Sequence, residues 1–282
     1  MINIDEKYTL KNSNFPDGSQ LMLDVDVDYS EALHEITWKY ECDEEIVRLI
    51  YIVNHIREKS LIQPTLILNM YYINSARMDR VKSNAEVFTL KYFAGIINSL
   101  GFSKVVVYDP HSNVSESLID RVYVLRDQLH RNIINTISIS DSDVVYFPDE
   151  NSFKKYKDIV PSGIELLYGK KIRNWHTGEI EKIDIVSHTG NSFNIDGKNI
   201  LVIDDIISKG GSIYHGIKYI LDGRYGSSPN NITIYASHIE NSIYNEPLWK
   251  MFVANKWEIW TTDSIVHSSD VKSNLHFNEI KA

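Results

Sequence analysis

The stretch NILVIDDIISKGGS, residues 199–212, decides the fold class of this chain. Its apolar first part, Asn199 to Ile203, predicts a buried strand that ends in two carboxylates, Asp204 and Asp205. A loop with paired glycines then leads into IYHGIKYI, whose apolar spacing predicts a helix. A strand, a short loop and a helix in this order begin a βαβ unit, which belongs in a parallel sheet.

The loop itself has the composition of a phosphate-binding turn. It reads Ser208, Lys209, Gly210, Gly211 and Ser212. Glycines let backbone N–H groups close on a phosphate, and the helix N-terminus adds the positive end of its dipole. The two preceding carboxylates suit ribose hydroxyls or a hard cation such as Mg²⁺. The alternative is a tight strand-to-helix turn with an acidic cap, but two Asp followed by Gly-Gly-Ser favour phosphate.

Strand-like and helix-like runs alternate along most of the chain, which predicts an α/β fold with mostly parallel sheets. A long polar stretch, Asn113 to Arg126, suggests a boundary just after it and hence two domains, 1–128 and 129–282. The predicted strands are Glu35–Tyr40, Thr65–Tyr71, Lys104–Tyr108, Asp143–Phe147, Ile164–Tyr168, Asn199–Ile203 and Asn231–His238, and the predicted helices are Asp43–Lys59, Glu86–Leu100, Ser152–Asp158 and Ser212–Leu221.

The composition of the 282 residues bounds the function classes. Hydrophobic residues make up 43% and charged residues 24%, which is a globular mix. The net charge of −9 argues against broad binding to nucleic acid or to an anionic membrane. No membrane-spanning run or signal-peptide pattern is present, and a single cysteine, Cys42, excludes a disulfide framework. We therefore expect a soluble, cytoplasmic protein with no nucleic-acid or membrane partner.

Four segments together resemble a known family. VIDDIISKGGS is similar to the phosphoribosyl-binding loop of type I phosphoribosyltransferases and of ribose-phosphate pyrophosphokinases, the PRPP synthetases. ARMDR, residues 76–80, is similar to the ARQDR segment at the ATP site of the latter family. DPHS, residues 109–112, is similar to its metal segment, and NFPDG, residues 14–18, to the FSDGE segment that contacts ATP from a neighbouring subunit. The segments follow the family's order and cover almost the whole chain.

Each of these segments also has a simpler structural explanation when it is taken alone. Arg77 could pair with Asp79 or Glu86 on the surface, and His111 could be an ordinary polar residue after a strand. Asp17-Gly18 is a turn signal. Their common order favours the family. The resemblance then implies two phosphoribosyltransferase-like domains, a homo-oligomer, and an ATP site formed by Phe15, Asp17, Arg77, Asp79 and His111.

Two further segments match the family less closely. FPDENS, residues 147–152, stands where the family has a PD-x-GG loop that binds metal and the transferred pyrophosphate. Asp149 matches the acid, but Asn151 and Ser152 replace both glycines. Lys171 and Arg173 match the Lys-x-Arg catalytic arm, which the family carries on a mobile hairpin; here the turn would be residues 176–179. The alternative for this basic segment is a solvated strand end.

The resemblance implies a diphosphokinase. Such an enzyme moves the β,γ-diphosphoryl group of Mg·ATP onto the C1 hydroxyl of a ribose 5-phosphate moiety and releases AMP. His111 and Asp149 would hold Mg²⁺, and the carboxylates Asp204 and Asp205 would hold the ribose hydroxyls. Lys171 and Arg173 would close over the transferred phosphate.

The identity of the acceptor and two other functions stay open at this point. Ser208 and Lys209 stand where the family's loop usually has Asp and Thr, which makes the loop more cationic. Plain ribose 5-phosphate and ADP-ribose are both compatible with this change. A type I phosphoribosyltransferase would keep the loop without the N-terminal segments. A non-catalytic PRPP synthetase-associated protein would explain the lost glycines, although the retained His111, Asp149, Lys171 and Arg173 argue against it.

Overall fold

The computed structural model describes the chain except residues 7, 10, 24–26, 141–142, 174–179, 191, 227, 266–274 and 279–282. Its strands are β1 (Ile2–Ile4), β2 (Tyr8–Thr9), β3 (Lys11–Asn14), β4 (Gln20–Leu23), β5 (Leu33–Trp38), β6 (Thr65–Met70), β7 (Lys104–Tyr108), β8 (Val122–Leu125), β9 (Val144–Phe147), β10 (Glu165–Arg173), β11 (Ile180–Ser187), β12 (Asn199–Ile207), β13 (Asn231–Ile239), β14 (Glu258–Thr262) and β15 (Leu275–Asn278). Its α-helices are α1 (Glu44–Lys59), α2 (Thr89–Ser99), α3 (Asn113–Leu118), α4 (Asp127–Ile137), α5 (Glu150–Tyr156), α6 (Gly211–Ile220) and α7 (Pro247–Asn255), with 3₁₀ turns at Lys157–Ile159 and Asn241–Asn245.

The described residues divide into two compact units, the first ending at Arg126 and the second beginning at Asp127. The domain limits inferred from the sequence, 1–128 and 129–282, stay a prediction. Within the described part of the chain, no helix is both long enough and apolar enough to cross a membrane.

The first unit is built on a sheet with the strand order β2-β1-β5-β6-β7-β8. Strands β5 to β8 run parallel to one another, whereas β1 is antiparallel to both of its neighbours. The core joins Trp38 of β5 to Leu49 of α1 and Phe93 of α2, so the apolar faces of these helices cover the sheet. This packing leaves the segments that follow β6 and β7, residues 76–80 and 109–112, at the carboxyl ends of their strands.

The second unit is built on a sheet with the order β11-β10-β9-β12-β13-β14-β15. All neighbours are parallel except β10 and β11, which form an antiparallel pair. Every residue of β9 is buried, which agrees with its continuous apolar sequence VVYF because a central parallel strand is covered on both faces. The predicted fold class, mostly parallel sheets flanked by helices, is confirmed.

The polar stretch at 113–126, which the sequence suggested only as the approach to a domain boundary, contains regular secondary structure. It contains α3 and the edge strand β8, which pairs with β7 through Val105 and Val122. Val122 and Val124 only partly pack against the core, because an edge strand is less covered than a central one. The four residues of β8, VYVL, are apolar but form a short run between polar residues, and for this reason the sequence did not reveal the strand.

Candidate functional site

The carboxylates of the glycine loop lie within strand β12, not after its end. The sequence predicted a strand that stops at Ile203, but β12 continues to Ile207. The pairing with β13 explains the difference, since Asp204 is opposite Ala236 and Ile206 is opposite His238. The prediction of the strand end was wrong because a polar pair in the sequence does not interrupt a ladder that a neighbouring strand continues.

Gly210 makes the turn from the strand to helix α6. Its φ is +70°, in the left-handed region that glycine adopts readily, and it is the N-cap of α6. A Cβ built on Gly210 would lie 2.3 Å from Cδ2 of the buried Leu248, so close packing also requires glycine. Because the N-cap has no side chain, no side chain of its own caps the first amides of the helix. Such a helix start suits a phosphate.

The polar rim of this loop carries three hydroxyl groups and one ammonium group. Ser208 and Ser212 are half-buried, whereas Lys209 is exposed. The hydroxyl of Ser208 lies 3.4 Å from that of Ser242, which belongs to the 3₁₀ turn after β13. The predicted ribose-phosphate residues therefore share one end of the sheet with Ser242, a polar neighbour that sequence reasoning missed.

Asp149, the predicted metal ligand of this unit, is the N-cap of helix α5. Its Oδ1 accepts hydrogen bonds from the backbone N–H of Asn151 at 3.1 Å and of Ser152 at 3.0 Å. Asn151 and Ser152 stand where the family's PD-x-GG loop has its two glycines. In this chain the two amides are bonded to the carboxylate, which is the usual arrangement at a helix start.

Helix α5 also contacts the carboxylates of β12. The hydroxyl of Ser152 donates to Oδ1 of Asp204 at 2.6 Å, and the same oxygen accepts from the backbone N–H of Asp205 at 3.0 Å. One turn further along the helix, Nζ of Lys155 lies 3.7 Å from Oδ2 of Asp205. The strand carboxylates are therefore held by side chains that are more than 45 residues away in sequence.

The electrostatics of this cluster are dominated by Asp204. Burial, and then the negative charge of Asp205, raise the pKa of Asp204 well above its ordinary value, while the hydrogen bond from Ser152 acts in the opposite direction. Asp149 adds further negative charge to the same cluster. Three neighbouring carboxylates favour a proton or a cation among them.

The oxygen donors of Asp149, Asp204 and Asp205 fit a hard cation such as Mg²⁺, which commonly takes one or two carboxylates and completes its shell with water and substrate phosphates. Among the described residues, no group of three or more His, Cys, Asp and Glu side chains lies in an arrangement that could hold a metal ion. His111 belongs to the first unit. The pairing of His111 with Asp149 on one Mg²⁺ stays a prediction.

In the first unit, the segment after β7 contains a buried ion pair. Asp109 is fully buried with a φ of +42°, and its Oδ1 accepts from Nε of Arg126 at 3.1 Å. Arg126 also bonds Glu116 at 2.5 Å. Asp109 thus anchors the turn, and the half-buried His111 follows two residues later. The sequence did not suggest Arg126 as the partner because it lies beyond the next strand.

The predicted ATP-site residues of the 76–80 segment lie after β6. Arg77 is exposed and Asp79 is half-buried. Asp79 lies 3.8 Å from the guanidinium of Arg80, and Glu86 accepts from the backbone N–H of Lys82 at 2.7 Å. The role of Arg77 and Asp79 in ATP binding stays a prediction.

The NFPDG segment forms the turn of the β3–β4 hairpin. Phe15 at its tip is 49% exposed. Oδ1 of Asp17 accepts from the hydroxyl of Ser19 at 2.6 Å and from its backbone N–H at 2.9 Å, and these bonds lower the pKa of Asp17. An exposed aromatic ring beside an ionised carboxylate presents a surface that a partner can contact.

Lys171 and Arg173 lie inside a strand. They belong to β10, where Lys171 is opposite Ile183 and Arg173 is opposite Ile180 of β11. The sequence had ended this strand at Tyr168, which was wrong because the antiparallel partner extends the ladder to Arg173. The predicted turn at 176–179 lies outside the described residues. The catalytic role of the two basic residues stays a prediction.

Comparison with known proteins agrees with this picture over most of the chain. No family model matches the sequence. A ribose-phosphate pyrophosphokinase of Saccharolobus solfataricus is 25% identical over 82% of this chain and 76% of its own. One from Methanothermobacter thermautotrophicus is 24% identical over 93% of this chain and 86% of its own. The chain is a divergent relative of the ribose-phosphate pyrophosphokinases.

The fold agrees with this relationship. The crystal structure of phosphoribosylpyrophosphate synthetase from Mycobacterium smegmatis matches with a TM-score of 0.72 and 15% identity, over 96% of this chain and 86% of that chain. At this low identity the structural match shows a shared fold and nothing about the residues of the site. The contacts that sequence reasoning missed are those of Ser152 and Lys155 with the strand carboxylates. For Lys155 the sequence signal was its positive charge on the helix that follows Asp149.

Proposed function

We propose that the protein is a diphosphokinase that transfers the β,γ-diphosphoryl group of Mg·ATP to the C1 hydroxyl of a ribose 5-phosphate moiety and releases AMP. The observation that carries the proposal is the arrangement at the end of the second sheet. There, the left-handed turn at Gly210 opens helix α6 directly beside Asp204 and Asp205. It occurs in a chain similar to ribose-phosphate pyrophosphokinases over most of its length.

The roles of the residues follow from what each can offer to the substrates. The amides at the start of α6 and the hydroxyls of Ser208 and Ser212 bind the 5-phosphate of the acceptor. The carboxylates Asp204 and Asp205 accept hydrogen bonds from the ribose hydroxyls and fix the C1 hydroxyl towards the second substrate. Phe15, Asp17, Arg77, Asp79 and His111 bind ATP, with the hairpin segment supplied by a neighbouring subunit of a homo-oligomer.

The chemical step needs in-line positioning and positive charge over the transferred group. The oxygen of the acceptor hydroxyl attacks the β-phosphorus and its proton passes to solvent. The bond from that phosphorus to the α,β-bridging oxygen breaks, and AMP leaves. Lys171 and Arg173 stabilise the charge that develops on the bridging oxygen. Asp149 and His111 are the residues that would hold Mg²⁺, which would supply positive charge to the phosphate oxygens when bound.

Product analysis tests the reaction type. The protein with Mg·ATP and an acceptor is expected to form AMP in step with the loss of acceptor. Formation of ADP would contradict a diphosphoryl transfer. Consumption of PRPP with release of pyrophosphate would instead support a type I phosphoribosyltransferase, and no turnover of ATP or PRPP would support a non-catalytic associated protein.

The rim of the loop favours ADP-ribose as the acceptor. A phosphate monoester is already served by the helix amides and one hydroxyl, whereas here the exposed Lys209 and the Ser208–Ser242 hydroxyl pair provide additional donors. ADP-ribose carries a second phosphate next to its 5-phosphate and presents the same C1 hydroxyl. The extra donors match the longer anion.

Competition between the two acceptors tests this assignment. ADP-ribose is expected to have the higher kcat/KM for AMP release. A preference of tenfold or more for ribose 5-phosphate, about 1.4 kcal/mol of discrimination, would reject it. The double variant Ser208→Asp/Lys209→Thr introduces the residues that the family's loop usually has at these positions. It should shift the preference towards ribose 5-phosphate, while the KM for ATP stays unchanged.

A further inference from the structure

Helix α5 carries two side chains that reach the carboxylates of β12. Ser152 and Lys155 are three residues apart and therefore lie on the same face of the helix. Ser152 is 6% exposed, and the side chain of Lys155 is 14% exposed. Burial of a hydroxyl and an ammonium on one helix face is unfavourable unless both have partners, and the partners here are Asp204 and Asp205.

The serine contact fixes the orientation of Asp204. Oδ1 of Asp204 accepts from the hydroxyl of Ser152 at 2.6 Å and from the amide of Asp205 at 3.0 Å. Two donors on one oxygen hold the plane of the carboxyl group, which free rotation about its terminal bond would otherwise leave variable. The second contact of the hydroxyl, 3.3 Å to Oδ1 of Asp149, is longer. The stronger bond of Ser152 is thus to the strand carboxylate and not to the cap of its own helix.

The lysine contact acts on Asp205. Nζ of Lys155 lies 3.7 Å from Oδ2 of Asp205 and 4.9 Å from the ring centre of Tyr156, which restricts the path of the long side chain. Three carboxylates lie in this cluster, and Lys155 places a cation beside one of them. It partly offsets the repulsion that would otherwise push the adjacent carboxylates Asp204 and Asp205 apart.

We propose that Ser152 and Lys155 are positioning residues that hold Asp204 and Asp205 in the geometry that binds the ribose of the acceptor. The proposal rests on the proposed function. The role proposed for Ser152 is particular to this chain, because the family's PD-x-GG loop has glycine at this position and glycine has no hydroxyl group. Neither residue needs to touch the substrate, since each acts through the carboxylate that it holds.

The test uses matched variants of the full-length protein. Ser152→Ala removes the hydroxyl, and Ser152→Cys retains the size of the side chain with a weak donor. Lys155→Met removes the charge at similar length, and Lys155→Arg retains it. The controls are Asn151→Ala and Lys154→Met on the same helix, where Asn151 is exposed and Lys154 pairs at the surface with Glu150.

Two measurements report on the variants. Calorimetry with ribose 5-phosphate or ADP-ribose in the absence of ATP gives acceptor binding, and AMP release gives the KM of each substrate. Ser152→Ala and Lys155→Met are expected to weaken acceptor binding roughly tenfold or more, as expected for losing a hydrogen bond or ion pair to a charged group. The KM for ATP should change less than twofold. Lys155→Arg and both controls should bind acceptor within about threefold of the wild type.

The outcomes separate this proposal from the proposed function. If the wild type releases no AMP but binds an acceptor, and Ser152→Ala and Lys155→Met lose that binding while both controls keep it, the diphosphokinase assignment fails and the positioning role stands. Acceptor affinity in Ser152→Ala and Lys155→Met equal to that of the controls would overturn the positioning role. Three other results would also overturn it. One is an equal rise in the KM of both substrates, and another is a Lys155→Arg variant that binds the acceptor as weakly as Lys155→Met. The third is a wild type that binds neither acceptor at millimolar concentration.

Discussion

Replacing Gly210 with alanine should destabilise the second unit, whereas the same change at Gly211 should not. At Gly210 two penalties add. An L-residue at φ +70° costs roughly 1–2 kcal/mol. The new Cβ would also lie 2.3 Å from Cδ2 and 3.2 Å from Cβ of Leu248, and overpacking of this kind costs roughly 1–3 kcal/mol. The sum is about 2–5 kcal/mol.

Gly211 is the matched control. It does not have a left-handed φ, and a Cβ built on it meets no atom within 4 Å. Alanine at this first position of α6 reduces the freedom of the unfolded chain and should stabilise by roughly 0.4–1 kcal/mol.

Thermal unfolding followed by circular dichroism at 222 nm measures both variants. At about 2–4 °C for each kcal/mol, Gly210→Ala should lower the melting temperature of the second unit by about 4–20 °C, and Gly211→Ala should raise it by a few degrees at most. Acceptor binding should also be lost in Gly210→Ala, because the helix amides would be displaced. Equal melting temperatures for the two variants would refute the reasoning from the turn geometry.

Three further predictions concern charge. The raised pKa of Asp204 means that the folded state holds its proton more tightly than the unfolded chain, so the contribution of Asp204 to stability should be lost as pH rises above 3.8, the group's ordinary pKa. In thermal melts with EDTA present, Asp204→Asn should not show this loss, and its melting temperature should be higher than that of the wild type at neutral pH. Melting temperatures of the two proteins that change in parallel with pH would contradict this prediction. Lys171→Ala and Arg173→Ala should each lower kcat by roughly 10²–10³ with little change in the KM for ATP, and a near-normal kcat for both would make them surface residues. Asp17→Ala should raise the KM for ATP with little change in the melting temperature, because the bonds of Asp17 to Ser19 lie within its own exposed turn. An active monomer would exclude an ATP site completed by a neighbour.

The central elements of both sheets could be predicted from the sequence because their apolar runs are continuous. The strand segments VVYF and NILVI are covered on both faces of the sheet, so nearly all of their residues are apolar and the pattern is visible in the sequence. The marginal elements could not be predicted. The edge strand β8 has only four residues, VYVL, inside a stretch that is otherwise polar, and the antiparallel strand β11, IEKIDIVS, mixes apolar and charged residues. Their presence depends on a neighbouring strand and not on their own pattern.

The sequence alone determined the turn at Gly210. Paired glycines between a strand and a helix predict a tight turn, and Gly210 adopts the left-handed φ that glycine tolerates without a steric penalty. Tertiary structure decided what surrounds that turn. β12 extends past Asp204 because β13 pairs with it, and the hydroxyl of Ser152 reaches that carboxylate across 52 residues of chain. Turn chemistry acts through the torsion angles of single residues, whereas strand ends and side-chain contacts are set by whichever distant segment packs beside them.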